Sequence, residues 1–361
     1  MSITIEKIYW LPQLKPIWNN LYKANASLSI FQSYEFMLNF WKNSWIYCLT
    51  HKEFPVFYLI KEDGKPRLIA PLCKKTNGTY EIMGVKNGCE YCDFIYADGT
   101  SVESYVRELV SYLKCPIVFA RIKEQSVLYQ SFVGKDNVKE CGEEFCTNIP
   151  LPESYDEYYK GLSSSMRQNL RTAFNRLKRD GHSVSIKVIN EENKCDEWNY
   201  MEIENIQSTN VNYHDITQPA SATDHDFEEM LSLYYQRHKE RYGEHTSKLK
   251  MWYMKHLNFM TKSLRNMSSA MNIMLYIDNE LAAFMGGLIS QGEEDYIVPR
   301  LSINSKYGFY SPGMLLVNET ARYMINKTSI RNLDLSLGTE TYKSKMGGVK
   351  FLIKHFVIFC R

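Results

Sequence analysis

One order of segments occurs twice along the chain, and that repetition limits the fold more than any single motif does. An apolar run from Phe54 to Ile60 meets the turn Glu62-Asp63-Gly64-Lys65-Pro66 and returns as Leu68 to Leu72. Asp-Gly between two apolar runs is a strong hairpin signal. Tyr80 to Val85, a loop to Gly99, a helix from Ser101 to Leu113 and an apolar strand from Ile117 to Ile122 follow. Much later Met271 to Ile277, the turn Asp278-Asn279-Glu280 and Leu281 to Ile289 make a second hairpin. Asp295 to Ile303, a loop to Gly313, a helix to about Asn326 and a strand from Arg331 to Leu337 complete the second copy.

Order and spacing agree between the copies although few residues do, which predicts a duplicated unit. Each copy reads as hairpin, strand, helix, strand, so the class is α/β, with two mixed sheets flanked by helices. Residues 1–150 are expected to form the first half and 151–361 the second, with a helical insert over 154–265. Within that insert the pattern predicts helices over Ser154 to Gly161, Ser163 to Asp180, Cys195 to Ile206, Asp224 to Tyr242 and Lys248 to Arg265. Gly181 closes the second of these, and Thr223 or Asp224 opens the fourth. Gln207 to Ala222, polar and carrying Pro219, reads as a loop.

At 361 residues the chain is long enough for two cores, and 44% hydrophobic with 23% charged residues fits a globular protein. No run approaches the roughly 20 apolar residues of a membrane span, and Met1 to Trp10 lacks the apolar core of a signal peptide. Nine cysteines, an odd number, suit reduced thiols. A cytoplasmic setting is therefore the expectation. A formal net charge of +2 supplies no field that calls for a nucleic acid, and no DNA partner is expected. Cys89-x-x-Cys92 and Cys141-x4-Cys146 lack companion histidines, and no His-Glu-x-x-His, Walker or dinucleotide fingerprint is present. No metal is expected.

The stretch Tyr310-Ser311-Pro312-Gly313-Met314-Leu315-Leu316 is the most informative for chemistry. A strand runs into a loop, and a helix opens at once. Proline suits the first helical turn and glycine lets a ligand approach the backbone. Exposed amides and the positive end of the helix dipole suit a pyrophosphate; an ordinary helix start gives the same pattern. Asp334, in the apolar strand Leu333-Asp334-Leu335, is either a base with a raised pKa or a satisfied structural anion. On the helix from Ser163, Met166, Leu170, Ala173, Phe174 and Leu177 share one arc of about 100°, and Arg167, Arg171 and Lys178 lie along its edge. That row either binds an anionic acceptor or is a solvated rim.

Leu281-Ala282-Ala283-Phe284, Tyr307 through Leu316, and Leu333 through Lys343 resemble a GNAT-superfamily acetyltransferase of the CelD/BcsL type, a group linked to polysaccharide biosynthesis and related to FemAB-type peptidyltransferases. Phe31-Gln32-Ser33-Tyr34-Glu35-Phe36, Trp41, Leu162-Ser163 and Arg167-Gln168-Asn169-Leu170-Arg171 resemble the group's N-terminal segments. The chain departs from the pattern at the phosphate loop, where Ser-Pro-Gly replaces Gln/Arg-x-x-Gly-x-Gly/Ala. It departs again at Met346-Gly347-Gly348, where a tryptophan is usual, and at Phe36.

The resemblance implies a tandem GNAT-like (acyl-CoA N-acyltransferase) fold with acetyl-CoA or another acyl-CoA as co-substrate. Its acceptor would be a small-molecule amine, an amino sugar or a glycan precursor. It implies that Ile297, Val298, Arg300 and Leu301 lie along the pantetheine arm and that Ser311, Pro312, Gly313, Met314 and Leu315 take the pyrophosphate. Asp334, His238, Tyr342 and Lys343 are the candidate catalytic residues, and Arg167, Arg171 and Arg241 the candidate acceptor contacts. His238 shares a helix face with Arg241, and its imidazole suits a base near neutral pH; an exposed helix histidine reads the same way. The first half, with Ala97-Asp98-Gly99 in the matching place, is expected not to bind CoA. Two alternatives stay open: an aminoacyl-tRNA-dependent peptidyltransferase of the FemAB kind, and a binding protein that kept the fold without catalysis.

Overall fold

The computed structural model describes residues 2–85, 88–190, 194–208, 211, 213–243 and 259–360. Two compact units are present, Met1–Cys146 with Phe351–Arg361, and Thr147–Lys350.

The first unit contains β1 (Ile3–Ile8), β2 (Glu53–Glu62), β3 (Lys65–Lys75), β4 (Tyr80–Ile82), β5 (Ile95–Tyr96) and β6 (Ile117–Lys123). The chain leaves this unit within β7 (Val138–Pro150) and re-enters it within the last strand, β15 (Val349–Ile358). Neighbours follow the order β1-β2-β3-β4-β6-β15, and β5 pairs with β3. β4 and β6 are parallel; β15 runs antiparallel to β6, from Ile353↔Lys123 to Ile358↔Ile117. That pairing carries the end of the chain into the first unit, so the expected 151–361 half loses its last eleven residues. Ladder hydrogen bonds to a strand more than 200 residues away leave no local trace. The helices Lys15–Lys23, Tyr34–His51 and Val102–Leu113 belong to this unit.

The second unit contains β8 (Val184–Ile189), β9 (Lys194–Asn199), β10 (Gln218–Ser221), β11 (Ala270–Ile277), β12 (Glu280–Ile289), β13 (Asp295–Ile303) and β14 (Asn332–Leu337). Their order is β14-β13-β12-β11-β8-β9-β10. Only β13 and β14 are parallel among these pairs. On one face Met271, Ile273, Leu275 and Ile277 of β11 pack in a core with Leu315, Leu316 and Ala321 of the Pro312–Lys327 helix and Phe174 and Leu177 of the Ser164–Arg179 helix. On the other, Met274 and Phe284 meet Phe227, Met230 and Leu233 of the Asp224–Tyr242 helix. Alternation along the strands divides the two faces.

The hairpins of the two copies close alike. Asp63 and Gly64 have φ of 48° and 78°, Asp278 and Asn279 of 50° and 63°. Positive φ at both central residues is the type I′ geometry that matches strand twist, and Asp, Asn and Gly reach it at least cost.

The insert differs from its expectation. Cys195 to Ile206 is not a helix: β9 runs to Asn199, pairs with β8 from Ser185↔Asn199 to Ile189↔Cys195, and ends in the short turn Tyr200–Glu202. Two-fold packing of Cys195 and Trp198 against neighbouring strands outweighs a local pattern with little β preference. Gln207 to Ala222 holds the Tyr213–Ile216 helix and β10 rather than loop alone. The 154–265 region therefore adds a three-stranded sheet edge. Of the expected Lys248 to Arg265 helix, 248–258 lie outside the described residues, and Phe259–Asn266 is helical.

Candidate functional site

The second unit's parallel pair comes apart. β13 and β14 are in register at Asp295↔Asn332, Tyr296↔Leu333 and Ile297↔Asp334. β13 then runs on to Ile303, held on its other edge by β12. Gly286 opposes Arg300 and Leu288 opposes Ile297, so Val298 and Pro299 together face Gly287. An extra residue of this kind is a β-bulge, which bends the strand and increases its twist. Proline has no amide to leave unpaired, so the free edge costs less there. Gly287 leaves no room for a side chain: a Cβ would stand 2.4 Å from the Tyr296 ring and 2.6 Å from the Ile297 carbonyl.

The other prong is bent as well. Ser336 adopts φ of 55°; its amide donates to Asp334 Oδ1 at 2.8 Å and its hydroxyl to the Val298 carbonyl at 3.0 Å, bridging the fork at its throat. Lys343 then holds the end of β14. Its ammonium, 4% exposed as a residue, donates to the Leu335 and Leu337 carbonyls at 2.9 and 2.5 Å and stands 3.1 Å from Glu340. An ammonium has three donors, and these groups take them. Lys343, a candidate catalytic residue in the sequence, here directs its ammonium to the backbone of β14 and to Glu340. Tyr342, on the same short helix Thr341–Lys345, packs at the edge of the core. Burial first, and the Glu340 charge second, push its phenol up to about 12.

At the far end of β13 the Pro312–Lys327 helix begins. Ser311, at φ 50° and ψ 50°, is its N-cap and its side chain caps nothing. The Met314 and Leu315 amides turn back to the Ser311 carbonyl at 3.1 and 3.3 Å, and Pro312 has none. A Cβ on Gly313 would stand 2.8 Å from Ile303 Cγ2, so glycine seats the helix mouth against β13. The side chain of Leu315, a residue expected at the pyrophosphate, is buried in the core; apolar periodicity places it inward one turn from the mouth. Arg176 brackets the segment before the mouth: it donates to the Phe309 carbonyl at 3.1 Å, and its guanidinium lies 4.2 Å from the centre of the Phe309 ring.

Strand alternation separates the remaining candidates. Leu333 and Leu335 enter the core beneath the Pro312–Lys327 helix, so Asp334, buried, faces the side covered by the Asp224–Tyr242 helix. Val298 and Leu301 pack with that same core, which turns Arg300 to the side of Asp334. The Arg300 guanidinium lies 5.2 Å from the Tyr234 ring centre, and its Nε has no hydrogen-bond partner. His238 and Arg241 follow Tyr234 at helical spacings of four and seven, on one stripe of the Asp224–Tyr242 helix. Asp334, Arg300, Tyr234 and His238 thus share one side of the fork.

Arg167 and Arg171 do not join them. Arg167 donates to the Lys160 and Leu162 carbonyls at 2.6 and 2.7 Å, closing the end of the Tyr155–Gly161 helix, and Lys178 reaches the Ile203 and Glu204 carbonyls. Arg171 bonds Gln168 on its own helix. The row along the apolar arc is real, but two of its three cations serve backbone carbonyls. Arg176, Tyr234 and Ser336 were absent from the sequence reading. Arg176 lies off the row, and neither the Tyr234–Arg300 stack nor the left-handed Ser336 has a local signature. Among the described residues no group of three or more His, Cys, Asp or Glu could hold a metal ion, and no helix is long and apolar enough to cross a membrane.

Residues 209–344 match the family model described as an acetyltransferase (GNAT) domain. No functionally curated protein matches the sequence. A solved tandem GNAT protein from the clavulanic acid biosynthesis pathway is similar in structure, with a TM-score of 0.52 at 8% identity over 99% of this chain and 98% of that one. The C-terminal domain of a putative lysylphosphatidylglycerol synthetase from Agrobacterium fabrum gives 0.53 at 8% identity, over 97% and 92%. A conserved protein of unknown function from Bacteroides thetaiotaomicron VPI-5482 gives 0.54 at 12% identity, over 99% and 100%. Identities this low speak for fold alone: the chain has a tandem GNAT-like α/β fold.

Proposed function

We propose that the chain is an N-acyltransferase that moves an acyl group from an acyl-CoA thioester to an amine at the fork of β13 and β14. The observation that carries the reading is the parting of this parallel pair beyond Ile297 and Asp334, with the uncapped mouth of the Pro312–Lys327 helix at the end of β13. A pantetheine arm fits beside the unpaired edge of β13, where backbone groups need partners. The diphosphate belongs at the Ser311–Met314 mouth, with Arg176 beside it. The acceptor is inferred to be an amine on a sugar or glycan precursor, the class implied by the CelD/BcsL resemblance.

In this reading the neutral amine attacks the thioester carbon, the C–N bond forms, and the C–S bond breaks as the thiolate leaves. Asp334 takes the amine proton, directly or through a water. Tyr342 keeps its proton at neutral pH and delivers it to the departing thiolate. His238 and Arg241 line the acceptor's side. The first half shapes the protein without taking CoA. All described cysteines are free, which supports a reducing, cytoplasmic setting.

Calorimetric titration of the full chain with acetyl-CoA, longer acyl-CoAs and charged tRNA tests the proposal. Binding of an acyl-CoA that Ser311→Asp weakens supports it. Binding of charged tRNA alone would move the chain to the peptidyltransferase class, and binding of none would leave a fold without this chemistry.

A further inference from the structure

The first unit has its own parting of parallel strands. β4 and β6 are in register at Tyr80↔Ile117 and Glu81↔Val118 and no further. The fifth residue of β6, Arg121, is left-handed at φ 57°, as is Ser336, the fifth residue of β14, at 55°. Strained positions of this kind persist where the surroundings enforce them and gather at ligand sites. Arg121 is fixed on both sides: its guanidinium donates to the Cys89 carbonyl at 2.9 Å, and its own carbonyl accepts the Cys92 amide at 2.9 Å.

Beyond the kink, at the carboxyl end of β6, lies a cavity of about 170 Å³. Crevices at the carboxyl ends of parallel strands are the usual ligand positions in α/β sheets. Ser29, Tyr91, Asp93, Lys123, Gln125 and Ser126 are among its walls. The Lys123 ammonium stands 4.6 Å from the centre of the Tyr91 ring and makes no ion pair among the described residues. Asp93, by contrast, takes three donors from the chain itself: the Ser126 hydroxyl at 2.6 Å, the Phe94 amide at 2.7 Å and the Tyr96 hydroxyl at 3.4 Å. Burial, partly offset by these donors and by Lys123, pushes the carboxyl up to about 7. The cavity therefore sets the Lys123 ammonium near an acid whose burial favours its neutral form.

We propose that this cavity binds a small carboxylate bearing a hydroxyl or amine, of the size of an amino or hydroxy acid, with the carboxylate on Lys123 and the polar substituent among Ser29, Asp93 and Ser126. Volume favours small ligands. A closed cavity of roughly 150 Å³ holds a six-atom ring such as benzene, so this pocket encloses an amino or hydroxy acid whole and a hexose only in part. Charge decides the end group: an ammonium with no ion pair among the described residues, resting on the Tyr91 and Phe351 rings, favours an anion, and a compact carboxylate fits beside Tyr91. The site is separate from the acyl-transfer fork and stands whether or not that reading does.

Ligand-observed NMR on the full chain tests it, with L-serine, L-lactate, glucose and inorganic phosphate as probes up to roughly 10 mM, well above a millimolar dissociation constant. Saturation transfer to L-serine or L-lactate is expected, with affinity falling about tenfold or more in Lys123→Met, which keeps the aliphatic stem over Tyr91 and removes a charge-assisted hydrogen bond. Asp93→Asn is expected to alter the preference between L-serine and L-lactate while both still bind. An unchanged melting temperature in Lys123→Met shows that the fold survives. No transfer to either acid, equal transfer in Lys123→Met, or transfer to glucose or phosphate alone would each overturn the proposal.

Discussion

The two units hold the same fork and fill it differently. Counting along each second prong, the third residue is Phe119 in β6 and Asp334 in β14. Phe119 is fully buried and stacks on Phe356, rings 4.9 Å apart. Asp334 sits at the parting point with Ser336 at its oxygen. The helix mouths differ too. In the first unit the Asp98 carboxylate accepts the Gly99 amide at 2.9 Å just before the Val102–Leu113 helix. Neither N-cap, Ser101 nor Ser311, caps its helix with its side chain; the mouths differ in charge, since Asp98 and Glu103 flank the first and the first turn of the second carries no acid. A buried phenyl and carboxylates near the mouth disfavour thioester chemistry and an anionic diphosphate; a fork carboxylate and a helix mouth without acids favour both. Both copies share the backbone device, and in the proposed reading a few side chains assign the chemistry to the second.

The largest effect is expected where the copies differ most. Asp334→Asn should lower turnover on an identified amine by about 10²- to 10⁴-fold, with acetyl-CoA affinity changed little. Phe119→Leu, at the matching place, should change stability by about 1 kcal/mol and turnover hardly at all. Steady-state kinetics with a binding titration on both variants decides the matter. Equal losses of turnover would mean that the two forks do not divide the work as proposed.

Next in size is a pH effect confined to the first unit. Asp93 is raised to about 7 in the folded chain, from the ordinary carboxylate range near 4. Between those values the folded state keeps a proton that the unfolded chain has lost. Its contribution to stability is therefore full below about pH 4 and is lost as pH rises through 7, a difference of up to about 4 kcal/mol. Asp93→Asn should flatten that slope between about pH 4 and 8 in denaturant titrations, measured against the parent chain. A parent slope that matches the variant's would show that Asp93 is ionised in the fold.

What the sequence made legible is what local chemistry decides. The type I′ turns at Asp63-Gly64 and Asp278-Asn279, and the helix opening at Pro312, are written in residues a few places apart, so the repeat and the candidate mouth could be read directly. β9 could not: Cys-Asp-Glu-Trp-Asn has little strand preference, and only pairing with β8 makes it one. Nothing near Lys343 in the sequence marks its partners: the bent end of β14 brings its ammonium to backbone carbonyls. The helical phase of Arg167 and Lys178 was correct, but not their carbonyl partners, which come from the Tyr155–Gly161 helix and the 203–204 segment. Lys123 and Asp93 are thirty residues apart and meet only because the loop after β4 folds back to the end of β6.

The smallest expected effect is also the one in which stability and function move in opposite directions. Ser311 holds a left-handed conformation that Asp and Asn adopt more readily than other residues. Ser311→Asp should cap the Pro312–Lys327 helix and suit its dipole, raising stability by about 0.5–1 kcal/mol. The same carboxylate would stand where the diphosphate belongs and bring an acid to this mouth, as Asp98 and Glu103 do near the start of the first unit's helix. Acetyl-CoA affinity should then fall by about tenfold, some 1.4 kcal/mol. Ser311→Asn separates charge from shape: it caps equally and should bind acetyl-CoA nearly as the parent does. Melting temperatures and calorimetric affinities for both variants give the answer. A stabilised Ser311→Asp with undiminished affinity would mean that this helix mouth never meets a phosphate, and the difference drawn between the two forks would then rest on Asp334 alone.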